Sequence, residues 1–190
     1  MTKIFDRAFT ILLLILLVTF LFVINHTVVN GDSMRNTYQT GDRLFLNLVD
    51  RDFKRGEIVT VFSDNKGAGF IPNSINTIIQ VYSGKRVILV KRVIGLPGEE
   101  IEMIDKKIII YNKENPKGKL IDESKYAKLD WVCQNGASNP EISFAKYKIP
   151  DGTYFVMGDN RGCSQDSRYY KSFNKDSILG KVILKLNWLW

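Results

Sequence analysis

The sequence holds a single histidine, His26, and two cysteines, Cys133 and Cys163. One histidine cannot complete a zinc site of the usual kind, and the cysteines do not form a Cys-x-x-Cys pair, so no metal site is expected. His26 directly follows a long apolar run, which leaves no candidate Ser-His-Asp triad and argues against a Cys-His nucleophile pair. A disulfide between Cys133 and Cys163 is permitted in an oxidising compartment, and the sequence leaves it open. There is no arginine-rich run and no basic helical stripe, although Lys plus Arg outnumber Asp plus Glu by 27 to 20, a formal net charge of +7. Nucleic acid is therefore not an expected partner. The scattered charge suits a solvated surface or one facing anionic lipid headgroups. No repeat, no low-complexity tract and no strand–helix alternation appears.

What is present begins with that apolar run. Ala8 to Ile24 is apolar except for Thr10 and Thr19, and Ile4 and Phe5 extend it. At ~1.5 Å per residue it reaches across a ~30 Å hydrocarbon core. A cleaved leader is the competing reading. The run is longer than the usual leader core, and Asn25-His26-Thr27-Val28-Val29 offers no small-x-small cleavage site, so a retained anchor is expected. Lys3 and Arg7 put the N-terminus in the cytoplasm and the rest of the chain outside, on a single-pass cell-membrane protein. The sequence thus divides into a cytoplasmic head (1–7), a transmembrane anchor (8–26), a catalytic β domain (27–98 and 150–190) and an inserted cap lobe (99–149).

The remainder of the 190-residue chain has the hydrophobic content of a globular domain, at 45% of all residues. Short runs punctuated by Gly and Asp read as strands: 43–49, 57–62, 77–82, 86–94, 149–157 and 178–184, with a hairpin over 101–111 turning at Asp105-Lys106. That spacing predicts a mainly β fold, a barrel or sandwich. Trp188 and Trp190 suit capping its core or touching the bilayer interface, with core packing the expectation.

Within this frame one residue is anomalous. Arg86 to Ile94 is apolar on both faces, as a buried strand requires, yet Lys91 sits in its middle. Burial disfavours the ammonium and lowers a lysine pKa, which makes Lys91 a candidate base. A candidate nucleophile, Ser33, lies in Gly31-Asp32-Ser33-Met34 shortly after the anchor. A third stretch, Gly158 to Arg168, follows an apolar strand with a density of polar groups suited to bracing a site.

Together these segments resemble type I signal peptidases, membrane-bound Ser/Lys proteases that remove signal peptides from exported proteins. The family's Ser-Met-x-Pro-Thr-Leu and Gly-Asp appear as Ser33 to Tyr38 with Gly41-Asp42. Its Lys-Arg-Val-Ile-Gly-Leu-Pro-Gly is Lys91 to Gly98 without a mismatch, and its Gly-Asp-Asn-x-x-x-Ser-x-Asp-Ser-Arg is Gly158 to Arg168. The compact insertion is similar to that of Gram-positive members. The resemblance implies that Ser33 is the nucleophile, Lys91 the general base, and Ser164 the partner that orients the Lys91 amine. It implies an Asp166–Arg168 ion pair with Arg92 nearby, and supporting roles for Asp159 and Asn160. Val29, Met34, Tyr38 and Val90 would contact substrate. The Ser33 N–H would serve the oxyanion hole. Some relatives place a second donor serine where Gly31 stands here. No cofactor is implied; the partners are exported preproteins and membrane lipid.

The chain departs from the pattern beside the nucleophile. Asn36 replaces the family's proline and Tyr38 its leucine, which implies an altered or narrowed choice of substrate, with surface or pilus subunits as candidate clients. Two other readings stand beside this one. A non-catalytic or dedicated assembly factor for such subunits on the same fold is opposed by the presence of both Ser33 and Lys91. A self-cleaving Ser/Lys repressor is opposed by the anchor and by the absence of a DNA-binding helix-turn-helix.

Overall fold

The computed structural model describes residues 2–66, 87–127 and 143–186, with backbone alone at 2–4 and 18–25. The expected strand at 77–82, the terminal tryptophans and Cys133 lie outside these residues. The chain opens with helix α1 (Thr2–Val23). All the large apolar side chains described on it, from Phe5 to Leu17, are half or more exposed. Those residues cover roughly 20 Å at ~1.5 Å each. Among the described residues no helix is long and apolar enough to cross a membrane. The helix also stops earlier than expected. Residues 24–26, read from sequence as anchor, open strand β1 (Ile24–Val28), which pairs at once with β2 (Arg43–Asn47).

Eleven strands follow one another among the described residues, and every pairing is antiparallel. Besides β1 and β2 they are β3 (Ile58–Phe62), β4 (Ile88–Gly95), β5 (Glu100–Ile104), β6 (Lys107–Tyr111), β7 (Lys119–Leu120), β8 (Phe144–Lys148), β9 (Thr153–Met157), β10 (Phe173–Asn174) and β11 (Ile178–Leu186). A seven-stranded sheet runs β1-β2-β11-β3-β4-β9-β10, and a four-stranded sheet runs β7-β6-β5-β8. The mainly β expectation holds. The inserted lobe is itself a small sheet, built on the β5–β6 hairpin that the sequence marks at Asp105-Lys106. Both turn residues take positive φ, 47° and 67°, as a two-residue hairpin loop of the primed kind demands.

Strands β4 and β9 of the seven-stranded sheet lie between two cores, and that explains their nearly continuous apolar runs. Ile94, Phe155 and Met157 face a core with Ile101, Met103, Ile108 and Ile110 of the small sheet. Their neighbours Val93, Tyr154 and Val156 face a second core with Val59, Val61, Phe173 and Ile178. Side chains alternate across a strand, so a strand between two cores must be apolar at every position. Lys91 is buried where β4 passes from its partly exposed start, Ile88 to Val90, towards this doubly covered stretch.

Candidate active site

Lys91 is only 2% exposed. Its Nζ donates to Ser33 Oγ at 2.7 Å and to the Val90 carbonyl at 3.0 Å. Burial drives its pKa down from the usual lysine value to about 8, against the opposing pull of the Asp166 and Asp159 charges. At pH 7 about one amine in ten is then uncharged, where an ordinary lysine has almost none. A buried amine of lowered pKa hydrogen-bonded to a serine hydroxyl is the arrangement that a serine nucleophile with a lysine base requires.

Ser33 is presented by a turn between β1 and β2. The turn is closed by backbone bonds from Arg35 N to Asp32 O and from Thr37 and Tyr38 N to Met34 O. Its entry, Gly31, lies at φ 106°, which an L side chain would resist. The turn after β9 then grips this one. Asn160 N donates to Ser33 O at 2.9 Å, and its side chain donates to Asp32 O at 3.0 Å. Asp159 N reaches Met34 Sδ at 3.4 Å, Asn36 Nδ2 donates to Asp159 O at 3.0 Å, and Thr37 Oγ1 bonds the Asp159 carboxylate. Gly158 is required at this junction, because an added Cβ would collide with the Ser164 side chain and the Ser33 carbonyl.

Two ion pairs hold the bracing loop. Arg92 grips Asp159 with both Nε and Nη2, at 2.8 and 2.6 Å. Arg168 grips Asp166 at 2.9 Å by Nε and by Nη2. Asp166 also accepts Gly158 N at 3.0 Å and caps the one-turn helix Ser167–Tyr170 through Arg168 N. Complete burial would raise its pKa, but Arg168 and the Gly158 N–H outweigh it and hold the carboxyl below the usual range.

Several expectations are met differently here. Ser164 is buried against Gly158, and no hydrogen bond joins its Oγ to Lys91, whose Nζ bonds Ser33 and Val90 instead. Asp166 and Arg168 are paired, and Arg92 holds Asp159. Val29 and Met34, expected to contact substrate, are 4% and 1% exposed, because the turn folds them inward. Val90 and Tyr38 keep exposed surface. Tyr38 lies with its ring centroid 5.8 Å from Lys185 Nζ, and burial raises its hydroxyl pKa. Cys163 is disulfide-bonded. Among the described residues no group of His, Cys, Asp and Glu could hold a metal ion.

Sequence reasoning missed Thr37, Arg161, Glu123 and Tyr126. Arg161, 1% exposed, donates Nε to Gly158 O at 2.9 Å and pairs with Glu123 of the inserted lobe. The only signal for it was a further arginine within the polar stretch after Gly158.

A serine held on a lysine amine inside an antiparallel β domain is the equipment of a serine hydrolase. Residues 2–188 match the family described as signal peptidase, peptidase S26, and the chain belongs to that family. Signal peptidase I S of Bacillus subtilis (strain 168) is 35% identical over 163 residues, 84% of this chain and 74% of the relative. Signal peptidase I of Bacillus amyloliquefaciens is 35% identical over 174 residues, 90% of this chain and 78% of the relative. Signal peptidase IB of Staphylococcus aureus (strain COL) is 28% identical over 167 residues, 85% and 76% of the two chains. A crystal structure of a signal peptidase I from Enterococcus faecalis overlays with a TM-score of 0.42 at 25% identity, covering 70% of this chain and 97% of that one.

Proposed function

We propose that this protein is a membrane-anchored signal peptidase whose nucleophile is Ser33 and whose general base is Lys91. The observation that carries this reading is the 2.7 Å separation of Lys91 Nζ and Ser33 Oγ on a buried strand. Ser33 Oγ attacks the scissile carbonyl carbon as its proton passes to the neutral Lys91 amine. The ammonium returns that proton to the leaving nitrogen as the peptide bond breaks. Lys91 then deprotonates a water, which attacks the acyl-enzyme ester and frees Ser33. The Ser33 N–H is the oxyanion donor in this scheme, and Gly31 offers no side-chain donor beside it. Asp166 and Arg168 brace the loop behind the base, and Asp159 and Asn160 support the nucleophile turn.

The substrates are exported preproteins, cleaved at the signal-peptide junction. Relatives named signal peptidase I over most of the chain support this. Helix α1 as a whole is the anchor: its 22 residues reach ~33 Å at ~1.5 Å each, and the apolar side chains described on it are exposed around its girth. With Lys3 and Arg7 on the cytoplasmic side, the β domain stands on the outer face. Tyr38, half-buried at the nucleophile turn, narrows the choice of client, with surface or pilus subunits as candidates.

The test is cleavage of a preprotein by the full chain, with the cleavage site mapped, beside Ser33→Ala and Lys91→Ala. Loss of processing in both variants is expected. Processing retained by either one refutes the assignment.

A further inference from the structure

The inserted lobe does not end at its own sheet. After β7 the chain turns back, and Tyr126 N and Ala127 N both close on Glu123 O to make a tight turn against the bracing loop. Glu123 there receives Arg161 Nη1 and Nη2 at 2.7 and 2.6 Å, one nitrogen on each oxygen. Tyr126 donates its hydroxyl to the same carboxylate at 3.1 Å. The Tyr126 ring lies against the Arg92 guanidinium, 4.2 Å from centroid to Cζ.

One turn of the insertion thus holds two arginines that both bear on the 158–160 turn. Arg161 reaches it through the Gly158 carbonyl and Arg92 through the Asp159 carboxylate. That turn in turn fixes the Ser33 carbonyl through Asn160 N. The pairing is stiff for physical reasons. A buried guanidinium that loses its carboxylate is left as an uncompensated charge, so the loop must shift to find water or another partner. A planar arginine stacked on an aromatic ring is fixed in tilt as well as position. Neither Glu123 nor Tyr126 bonds to Ser33 or Lys91; their route to the dyad is through the arginines.

We infer that Glu123 and Tyr126 are positioning residues for Ser33, acting through Arg161 and Arg92 to hold the 158–160 turn where Ser33 Oγ meets Lys91. This rests on the reading of Ser33 and Lys91 as nucleophile and base. The insertion thereby positions the dyad without touching it, and changes in it are felt there.

The experiment measures kcat and KM for a preprotein with the full chain in detergent micelles. It compares wild type, Glu123→Gln, Tyr126→Leu, Tyr126→Phe and the exchange Glu123→Arg/Arg161→Glu, with a thermal melt of each. The Glu123→Gln change is expected to lower kcat on the order of 10-fold or more, with KM within about 2-fold, because a small misplacement of a reacting group costs rate rather than binding. Tyr126→Leu should lower kcat, Tyr126→Phe should retain it, and the exchange should restore part of what Glu123→Gln loses. A lower melting temperature with kcat unchanged would make the contact a structural weld and overturn the inference. A rise in KM alone would make these residues a substrate wall and overturn it equally. If Glu123→Gln does not fold, equal kcat in Tyr126→Phe and Tyr126→Leu overturns it. A wild type that cleaves nothing overturns the dyad reading and this inference together; a cleaving wild type matched by its Glu123 and Tyr126 variants overturns this inference alone.

Discussion

Lys91 Nζ donates to Ser33 Oγ across 58 residues of chain, and the two side chains come from different parts of the seven-stranded sheet and its loops. Groups that act as one unit fail as one unit. Ser33→Ala and Lys91→Ala should each lower preprotein cleavage by about 10⁴-fold or more, with little further loss in the double variant. Lys91→Arg should be as inactive as Lys91→Ala, since a guanidinium stays charged and cannot accept the serine proton. Rates well above background in Lys91→Arg would remove lysine from the role of base.

The lowered pKa of Lys91 gives a pH dependence with a definite sign. Below about 8 the amine is protonated, so kcat/KM should fall about tenfold per unit of pH and level off above it. Stability follows the same group. Its folded pKa lies below its unfolded value of 10.5, so the unfolded chain binds more protons between about 8 and 10.5. Stability from Lys91 therefore rises with pH across that window, by on the order of 3 kcal/mol, and is flat below it. Denaturant melts of wild type and Lys91→Met at several pH values check this: the variant should lose the rise.

Asp159 is fully buried with the Arg92 guanidinium across both its oxygens. Arg92→Ala would leave that carboxylate without its counter-charge and should cost about 3–5 kcal/mol in unfolding free energy. Arg92→Lys should recover only part of it, because an ammonium cannot span both oxygens. Chemical denaturation of the three proteins makes the comparison.

At the nucleophile turn, Asn36 makes a bond to Asp159 O that a proline could not. Asn36→Pro should cost about 1 kcal/mol of stability. Tyr38→Leu, by shrinking a half-buried ring on the turn that carries Ser33, should broaden the range of residues accepted at the cleavage junction. Mapped cleavage of an Ala-x-Ala preprotein panel by wild type and the double variant tests this, and identical profiles would show that these positions do not select substrate.

Much of the site could be read in the sequence because its chemistry is unusual locally. A lysine between Val90 and Val93 contradicts its surroundings, and the structure buries it. The β5–β6 hairpin was legible from Asp105-Lys106, since turn chemistry is a short-range property. The helix end was not. Ile24 looks like anchor by hydropathy, but pairing with Asn47 outweighs that local preference. The Glu123–Arg161 and Tyr126–Arg92 contacts were also hidden. A charged residue in a polar loop carries no mark of the partner it will meet 38 residues away.

The placement of Lys91 and Arg92 side by side on β4 makes cleavage sensitive to alignment. Alternation sends neighbouring side chains to opposite faces, so a one-residue slip of β4 against β3 would set Arg92 opposite Val59, where Lys91 belongs. A permanently charged guanidinium would then face Ser33. On its other side β4 meets β9 with an irregular register between Val93 and Gly95. A strand matched to a regular neighbour on one edge and an irregular one on the other has a single alignment that suits both. Molecules that zip the sheet wrongly would thus be silent rather than partly active, so the cleaving fraction of a refolded sample counts its correctly aligned chains.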